Sequence, residues 1–299
     1  MIRIRYKAAD FSFKPVQPVN SILSGRYASR LRGRGLNFEE LRRYHPGDDI
    51  RSMDWKVTAR TRTPHVRVYT EEKDRSVLLI VDQRLNMFFG TRQRMKSVTA
   101  LELAALGAWR ALDSGDRVGM VGFNDDALVE IKPQRSQKTV MSMFHALIEL
   151  NHQLSVKASI ARQPQQLNDA LLAASQMVSH DALVVIISDF YGVNEQTQKL
   201  VAQLARHNDI LGMLVHDPVR INPIDQNIHV SDGVLQFPLM LKNKKTRQAI
   251  TEDYLREQEL IKTYLRQLSA PLLMISNEGD VVDQVRQLLG ISGKPVLRG

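Results

Sequence analysis

Three short apolar runs, each ending at an aspartate, constrain this chain more than any other feature. They are Ser76-Val-Leu-Leu-Ile-Val-Asp82, Ala182-Leu-Val-Val-Ile-Ile-Ser188 followed by Asp189, and Ile210-Leu-Gly-Met-Leu-Val-His216 followed by Asp217. A run that is apolar at every position suits a strand covered on both faces, and such strands belong to parallel sheets. Helical spacing falls between and after them. It spans 95–112 through Leu101, Ala105, Trp109 and Leu112, then 137–150, 165–179, about 195–206, 244–268 and 280–289. Arg117–Phe123, Leu128–Ile131 and Leu272–Ile275 read as further strands, with Asn124-Asp125-Asp126-Ala127 as a hairpin turn. The pattern predicts an α/β fold, a doubly wound and mainly parallel sheet with right-handed crossovers. Ligand sites in such sheets lie beyond the carboxyl ends of the strands, where Asp82, Asp189 and Asp217 fall. Asn124, Asp125 and Asp126 read as turn residues only.

Composition narrows the function. Hydrophobic residues make up 43% and charged residues 24%, enough for a packed core and inconsistent with a disordered chain. There is no Cys, which excludes disulfides, zinc–thiolate sites, iron–sulfur clusters and a cysteine nucleophile. No apolar run approaches the ~18–20 residues of a membrane span. The basic start, Met1-Ile-Arg-Ile-Arg, lacks the apolar region of a secretory signal. The expected location is the cytoplasm, or the periphery of the inner membrane. There is no G-x-x-x-x-G-K-[ST] loop, no G-x-S-x-G elbow and no histidine pair at metal-ligand spacing. Arg84 stands where a D-x-D phosphoacceptor needs its second acid.

The charge is uneven. Residues 1–75 hold 17 of the 41 Lys+Arg and 9 of the 32 Asp+Glu, so +8 of the net +9 lies in the first quarter. A basic segment suggests nucleic acid, an acidic lipid surface or an acidic protein. Here acids such as Glu39, Glu40, Asp48, Asp49 and Asp54 interleave with the arginines, which weakens a phosphate-tracking surface and suits internal pairing or a protein interface.

That segment carries a signature. Gly33, Gly35, Phe38, Arg42, Tyr44, Gly47, Asp48, Asp49, Arg51, Asp54, Trp55, Ala59 and Arg60 match, in order, the pattern G-x-G-x-E-F-x-x-x-R-x-Y-x-x-G-D-D-x-R-x-I-D-W-x-x-x-A-R. The pattern resembles that of the bacterial family called domain of unknown function fifty-eight. Asn37 departs from it where the family has an acid, and Met53 replaces an aliphatic residue. Similarity continues through Gly115-Asp-Arg-Val-Gly119 and Ile187-Ser-Asp189 to Asp217-Pro218. The resemblance implies a basic N-terminal module over 1–75, a von Willebrand factor A-like domain over 76–290 and a tail over 291–299. It also implies association with a MoxR-type AAA+ ATPase and its client protein. Many family members carry N-terminal transmembrane helices. Within the signature, Pro46-Gly47 suits a tight turn, and Arg42, Arg51 and Arg60 suit bidentate pairing with Asp49, Asp54 or Glu40. Trp55 is expected to anchor the module.

Such A-like domains bind a divalent cation through D-x-S-x-S after the first strand, a Thr on a second loop and an Asp after the fourth strand, hard oxygens that suit Mg²⁺. The first element here reads Asp82-Gln83-Arg84-Leu85-Asn86, so both serines are lost. The second loop, Gln163-Pro-Gln-Gln166, has no Thr, while Asp189 is in place. A guanidinium roughly 5 Å from a divalent ion opposes it by about 6–7 kcal/mol at an effective dielectric near 20. The expectation is a degenerate site of Asp82, Asn86 and Asp189, with Arg84 as substitute cation bridging Asp82 and Asp189. No cofactor is expected; weak Mg²⁺ binding, with Arg84 turned outward, is the alternative.

The chain is therefore expected to be a non-catalytic accessory protein that partners a MoxR-type ATPase, with no nucleic acid and no membrane span. Two alternatives have sequence support. One is a metal-dependent hydrolase using Asp82, Asp189 and Asp48 or Asp49. The other is nucleic-acid binding through residues 26–67.

Overall fold

The computed structural model describes residues 36–71, 75–154, 163–223, 225–231 and 236–290. The chain divides near residue 75 into two compact units, one lying within Ser24–Asp74. In that smaller unit, β1 (Leu36–Arg43) pairs antiparallel with β2 (His65–Glu71), with a register shift between Phe38 and Glu40. A turn through Gly47, at φ 109°, leads to a single 3₁₀ turn and then to α1 (Trp55–Thr61). Asp54 starts α1 by accepting from the amides of Lys56 (3.0 Å) and Val57 (3.1 Å), the usual service of an N-cap aspartate. The apolar patterns assign this region no regular elements, because β1 clusters its charges and the Val66/Val68 alternation of β2 is too short to stand out.

Among the described residues the larger unit begins at Arg75 and is built on β3 (Ser76–Asp82), β4 (Arg117–Phe123), β5 (Leu128–Gln134), β6 (Leu183–Ser188), β7 (Asp209–His216) and β10 (Leu272–Ser276). Their order in the sheet is β10-β7-β6-β3-β4-β5. All neighbours are parallel except β4 and β5, which form the expected hairpin. This is the doubly wound, mainly parallel sheet that the apolar runs predict, and the architecture that the family resemblance implies. A small hairpin of β8 (Ile228–Ser231) and β9 (Gln236–Leu239) is an addition that the sequence patterns did not reveal.

Both faces of the sheet are buried, as the apolar runs require. Val77, Leu79 and Val81 of β3 pack with α2 (Lys96–Asp113), α3 (Gln137–His152) and α7 (Val281–Leu288). Leu78 and Ile80 pack on the other face with α4 (Gln165–Met177), α5 (Glu195–Ala205) and α6 (Lys244–Gln267). Trp109 of α2 meets Phe144 of α3 edge-on at 5.8 Å, a geometry that aromatic quadrupoles favour. Full burial of side chains like these contributes about 1.5–3 kcal/mol each. Among the described residues no helix is long and apolar enough to cross a membrane.

The edge strand β5 carries Pro133, and the β4–β5 register slips between Val118 and Met120. Gly119 explains how the two strands stay close: a Cβ there would lie 2.5 Å from the Ile131 carbonyl oxygen and 2.6 Å from the Pro133 nitrogen. An edge position tolerates the missing proline N–H.

The chain runs outward from β3 in both directions, to β4 on one side and β6 on the other. The strand order therefore reverses beside β3. The carboxyl ends of β3 and β6 flank that reversal, where doubly wound sheets place their ligand sites.

Candidate functional site

Asp82 ends β3 and is fully buried. Its Oδ1 accepts from the Arg84 amide (2.9 Å) and from Arg84 Nε (3.1 Å). Its Oδ2 accepts from Arg84 Nη2 (2.7 Å) and from the Ser188 hydroxyl (2.7 Å). The Arg84 side chain is 1% exposed. It thus folds back over its own strand end and grips the carboxylate through a planar fork. Nη2 also donates to the Tyr191 carbonyl at 3.1 Å, and the guanidinium lies 5.5 Å from the centre of the Phe123 ring. Burial works to lower the Arg84 pKa, but Asp82, then Asp189 and Asp125, outweigh it and hold the guanidinium charged.

Asp189 follows β6 and has a different cation. Lys96 Nζ, at the first position of α2, donates to Asp189 Oδ2 at 2.5 Å, and both side chains are largely buried. Asn86 Nδ2 donates to Oδ1 at 2.6 Å, as does the Tyr191 amide at 3.0 Å. Burial alone would raise the Asp189 pKa; Lys96 foremost, with Asn86 and Arg84, brings it down to about 2. The structure corrects the expectation that Arg84 bridges both aspartates. Arg84 belongs to Asp82, and its influence on Asp189 is only electrostatic. Lys96 supplies the second charge.

The surrounding loops are tied to this centre. Asp125, in the β4–β5 turn, accepts from the Leu85 amide (2.6 Å) and the Gln163 amide (2.9 Å). It fastens the loop after β3 to the start of α4, more than the turn role that its sequence position suggests. Asn124 does fill the turn role, accepting from the amides of Asp126 (2.9 Å) and Ala127 (2.7 Å). Gln83 donates to the carbonyls of Asp82 (3.0 Å) and Ser97 (3.1 Å). The chain turns sharply after β6: Phe190 is nearly buried at φ 58° and Gly192 lies at φ 79°. A non-glycine residue in that left-handed region is strained by about 1–3 kcal/mol. The turn aims the Tyr191 carbonyl at Arg84. A Cβ on Gly192 would meet Pro164 at 2.7 Å, so this loop and the start of α4 are in close contact.

Asp217, after β7, is buried, and among the described residues no cation forms an ion pair with it. It accepts from the Thr91 amide (2.8 Å) and hydroxyl (2.7 Å), Asn277 Nδ2 (2.9 Å) and the Val219 amide (2.9 Å). Burial opposes ionisation, and these donors outweigh it, so its pKa lies below the usual carboxylate range.

In the smaller unit the signature residues hold their own turns. Arg42 pairs bidentately with Asp48 at 2.8 and 2.7 Å, and Asp48 also accepts from the His45 amide at 2.8 Å. Arg42 first, then His45, holds the Asp48 pKa down at about 2. Asp54 takes Arg67 as its partner at 2.8 Å, and Asp49 caps the 3₁₀ turn through the Arg51 amide at 2.9 Å. These pairs replace the expected ones with Asp49, Asp54 and Glu40: Arg51 and Arg60 are exposed and make no ion pair among the described residues. Tyr44 closes the turn through its amide, which donates to the Pro64 carbonyl at 2.9 Å. Trp55 is 65% exposed, so its ring is not a buried anchor. Gly33 and Gly35 lie outside the described residues, as does the Phe38 side chain.

The structure brings Asp82, Arg84, Asn86 and Asp189 together, with Lys96, Asp125 and Ser188 as members that sequence reasoning missed. Ser188 precedes Asp189 in the apolar run and could have been found there. Lys96 had no signal. The larger unit is thus an A-like domain whose strand-end carboxylates are held by side-chain cations. The profile of the family described as "Protein of unknown function DUF58" matches residues 40–260, and the chain belongs to that family. It is 29% identical over 297 residues to the uncharacterized protein Rv1480 of Mycobacterium tuberculosis, covering 95% of this chain and 88% of that one. The same values hold for the uncharacterized protein Mb1516 of Mycobacterium bovis. Among solved structures it is similar to BatB from Bacteroides thetaiotaomicron, at a TM-score of 0.42 and 14% identity over 72% of this chain and 97% of that one. The SpRpn10 VWA domain is also similar, at a TM-score of 0.40 and 10% identity over 74% of this chain and 100% of that one.

Proposed function

We propose that this chain is a non-catalytic accessory factor that works by binding proteins, with the divalent-cation site of its A-like unit taken over by Arg84 and Lys96. Its partners are a MoxR-type AAA+ ATPase and that ATPase's client, and its place is the cytoplasm. The A-like fold, a protein-interaction domain, and membership of the family support the interaction role. The observation that carries the metal-free reading is the burial of Arg84 on Asp82.

The donor set does not suit a divalent ion. Both Asp82 oxygens accept from Arg84, and one accepts also from Ser188. Both Asp189 oxygens accept from Lys96, Asn86 or the Tyr191 amide. An ion on these carboxylates would have to displace two buried side-chain cations or lie beside them. The same engagement speaks against the hydrolase alternative, since neither carboxylate is left as a base. Nucleic-acid binding lacks comparable support, because Arg42 and Arg67 are spent on Asp48 and Asp54.

Two experiments test the proposal on the full chain. Calorimetric titration with Mn²⁺ or Mg²⁺ is expected to show no micromolar binding; such binding would overturn the cation-replacement reading. A pull-down with the MoxR-type ATPase of the same genome, with and without ATP, is expected to retain the ATPase. Failure in both nucleotide states would remove the partnership. Retention on heparin with a steep salt slope would revive the nucleic-acid alternative.

A further inference from the structure

We infer that the exposed face of α1 is a docking surface for an acidic segment of a protein partner, with Trp55 as its apolar anchor and Lys56 and Arg60 as its charge contacts. The inference rests on the reading that this chain works by binding proteins, and it names the surface and the chemistry of what that surface takes. The two tryptophans of the chain differ sharply: Trp109 is 1% exposed and Trp55 is 65% exposed. At about 100° per residue, Trp55, Ala59, Lys56 and Arg60 fall on one contiguous arc of the helix. All four are exposed, while Val57 and Thr58 on the opposite side are half-buried.

The exposure of Trp55 does not come from a loose helix. Asp54 caps its first turn and pairs with Arg67, and Thr58 Oγ1 accepts from the His65 amide at 3.0 Å. The ring is thus presented on a pinned element. Trp and Arg are among the residues enriched at interface hot spots, which suits Trp55 and Arg60 to contact a partner. Ala59, one turn along, leaves a shelf beside the ring for an apolar side chain of the partner.

Charge selects the occupant. Asp48 is taken by Arg42 and Asp54 by Arg67, and Asp49 caps a turn. Among the described residues no acid pairs with Lys56, Arg60, Arg51 or Arg62. Among the described residues, this face therefore offers cations that no acid pairs with. A segment carrying Glu or Asp beside a leucine-like side chain satisfies both the ring and the cations. A nucleic-acid strand would use the cations but not the leucine-like contact with the ring, and the oligothymidylate arm below tests for it.

Trp55 is its own reporter, since Trp109 is shielded from quenchers. In the full chain, acrylamide quenching is followed during titration with a synthetic helical peptide bearing Glu and Leu at i, i+4 spacing. The control arms are the same peptide with Lys for Glu and an oligothymidylate. The acidic peptide is expected to shield Trp55 saturably, and K56E/R60E to weaken that binding at least about tenfold, with shielding lost as salt rises. The inference is overturned by no shielding, by equal shielding from the lysine peptide, by stronger shielding from the oligothymidylate, or by K56E/R60E binding as the unmodified chain does. ATPase capture separates this inference from the reading beneath it. If the unmodified chain and W55A capture the ATPase equally, the docking face falls and the partnership stands. If the unmodified chain captures no ATPase yet the acidic peptide shields Trp55, the partnership falls and the docking face stands.

Discussion

Replacing Arg84 by Ala tests the centre of the site most directly. The variant loses the Nε and Nη2 bonds to Asp82 and the bond to the Tyr191 carbonyl. It keeps the residue-84 amide and the Ser188 hydroxyl, so Asp82 retains one donor on each oxygen. Breaking a buried ion pair by removing one partner costs about 3–5 kcal/mol, because the other charge stays buried. The retained donors place this case toward the lower end, at about 3–4 kcal/mol. For a unit of this size each kcal/mol shifts the melting temperature by roughly 2–4 °C, so Arg84→Ala should melt about 10 °C lower. Thermal melts followed by circular dichroism measure this. A double-mutant cycle isolates the pair: D82N in the R84A background should recover part of the loss, with a coupling of at least about 2 kcal/mol. If Arg84 stands in for an ion, R84A should also gain stabilisation from Mn²⁺. At ten times the dissociation constant that gain is about 1.4 kcal/mol. An unchanged melting temperature in R84A would refute the buried pair. A destabilised R84A with no coupling to residue 82 would refute its electrostatic basis.

The Asp189 pKa of about 2 contributes to the acid limb of stability. A depressed carboxyl stabilises the fold above its unfolded value near 4, and that contribution, about 2 kcal/mol, is lost as pH falls from 4 towards 2. Lys96→Met should move this loss to higher pH, which melts across pH 2–7 would show. Asp125→Ala frees the Leu85 and Gln163 amides and should cost about 1–3 kcal/mol, with faster hydrogen exchange at both amides. Gly119→Ala forces a Cβ into the Ile131 carbonyl and should cost about 1–3 kcal/mol in chemical denaturation, because backbone on the facing strand has to move.

The sheet was legible because each central strand announces itself. Val77 to Val81 are apolar at every position, and the structure buries the alternate residues on opposite faces, as a doubly wound sheet requires. The positions of Asp82 and Asp189 followed from the strand ends. Their partners did not, because ion pairing depends on approach in space. Lys96 lies 93 residues from Asp189 and sits at a helix start, where a lysine carries no periodic signal. Arg84 reads as a cation in the site, but its grip on Asp82 alone depends on the fold of the loop after β3, and the left-handed turn after β6 that brings it the Tyr191 carbonyl has no sequence pattern. In the smaller unit, arginines and acids stand close in sequence, so pairing was expected. Asp48 takes Arg42 across the turn that follows β1, and Asp54 takes Arg67 because the Met53–Val66 bridge lays it beside β2. The β8–β9 pair escaped because four-residue strands carry too little pattern.

A covalently tethered cation differs from a bound ion in a way that bears on the proposed function. An ion loads according to its concentration, so a site that uses one can be filled or emptied. Arg84 and Lys96 are always present. The loops they hold are also bound to one another, through Asp125 to the Leu85 and Gln163 amides, Asn86 to Asp189, and Gly192 against Pro164. The carboxyl-end face is therefore kept in one arrangement without an added ligand. On the proposed reading, a partner meeting this face pays no ordering penalty that a divalent ion could relieve, and affinity should not respond to chelators. Binding of nucleotide-free ATPase to the full chain should be the same in EDTA and in millimolar Mg²⁺. A chelator-dependent affinity would mean that an ion completes the face despite Arg84, and the cation-replacement argument would fail at its first premise.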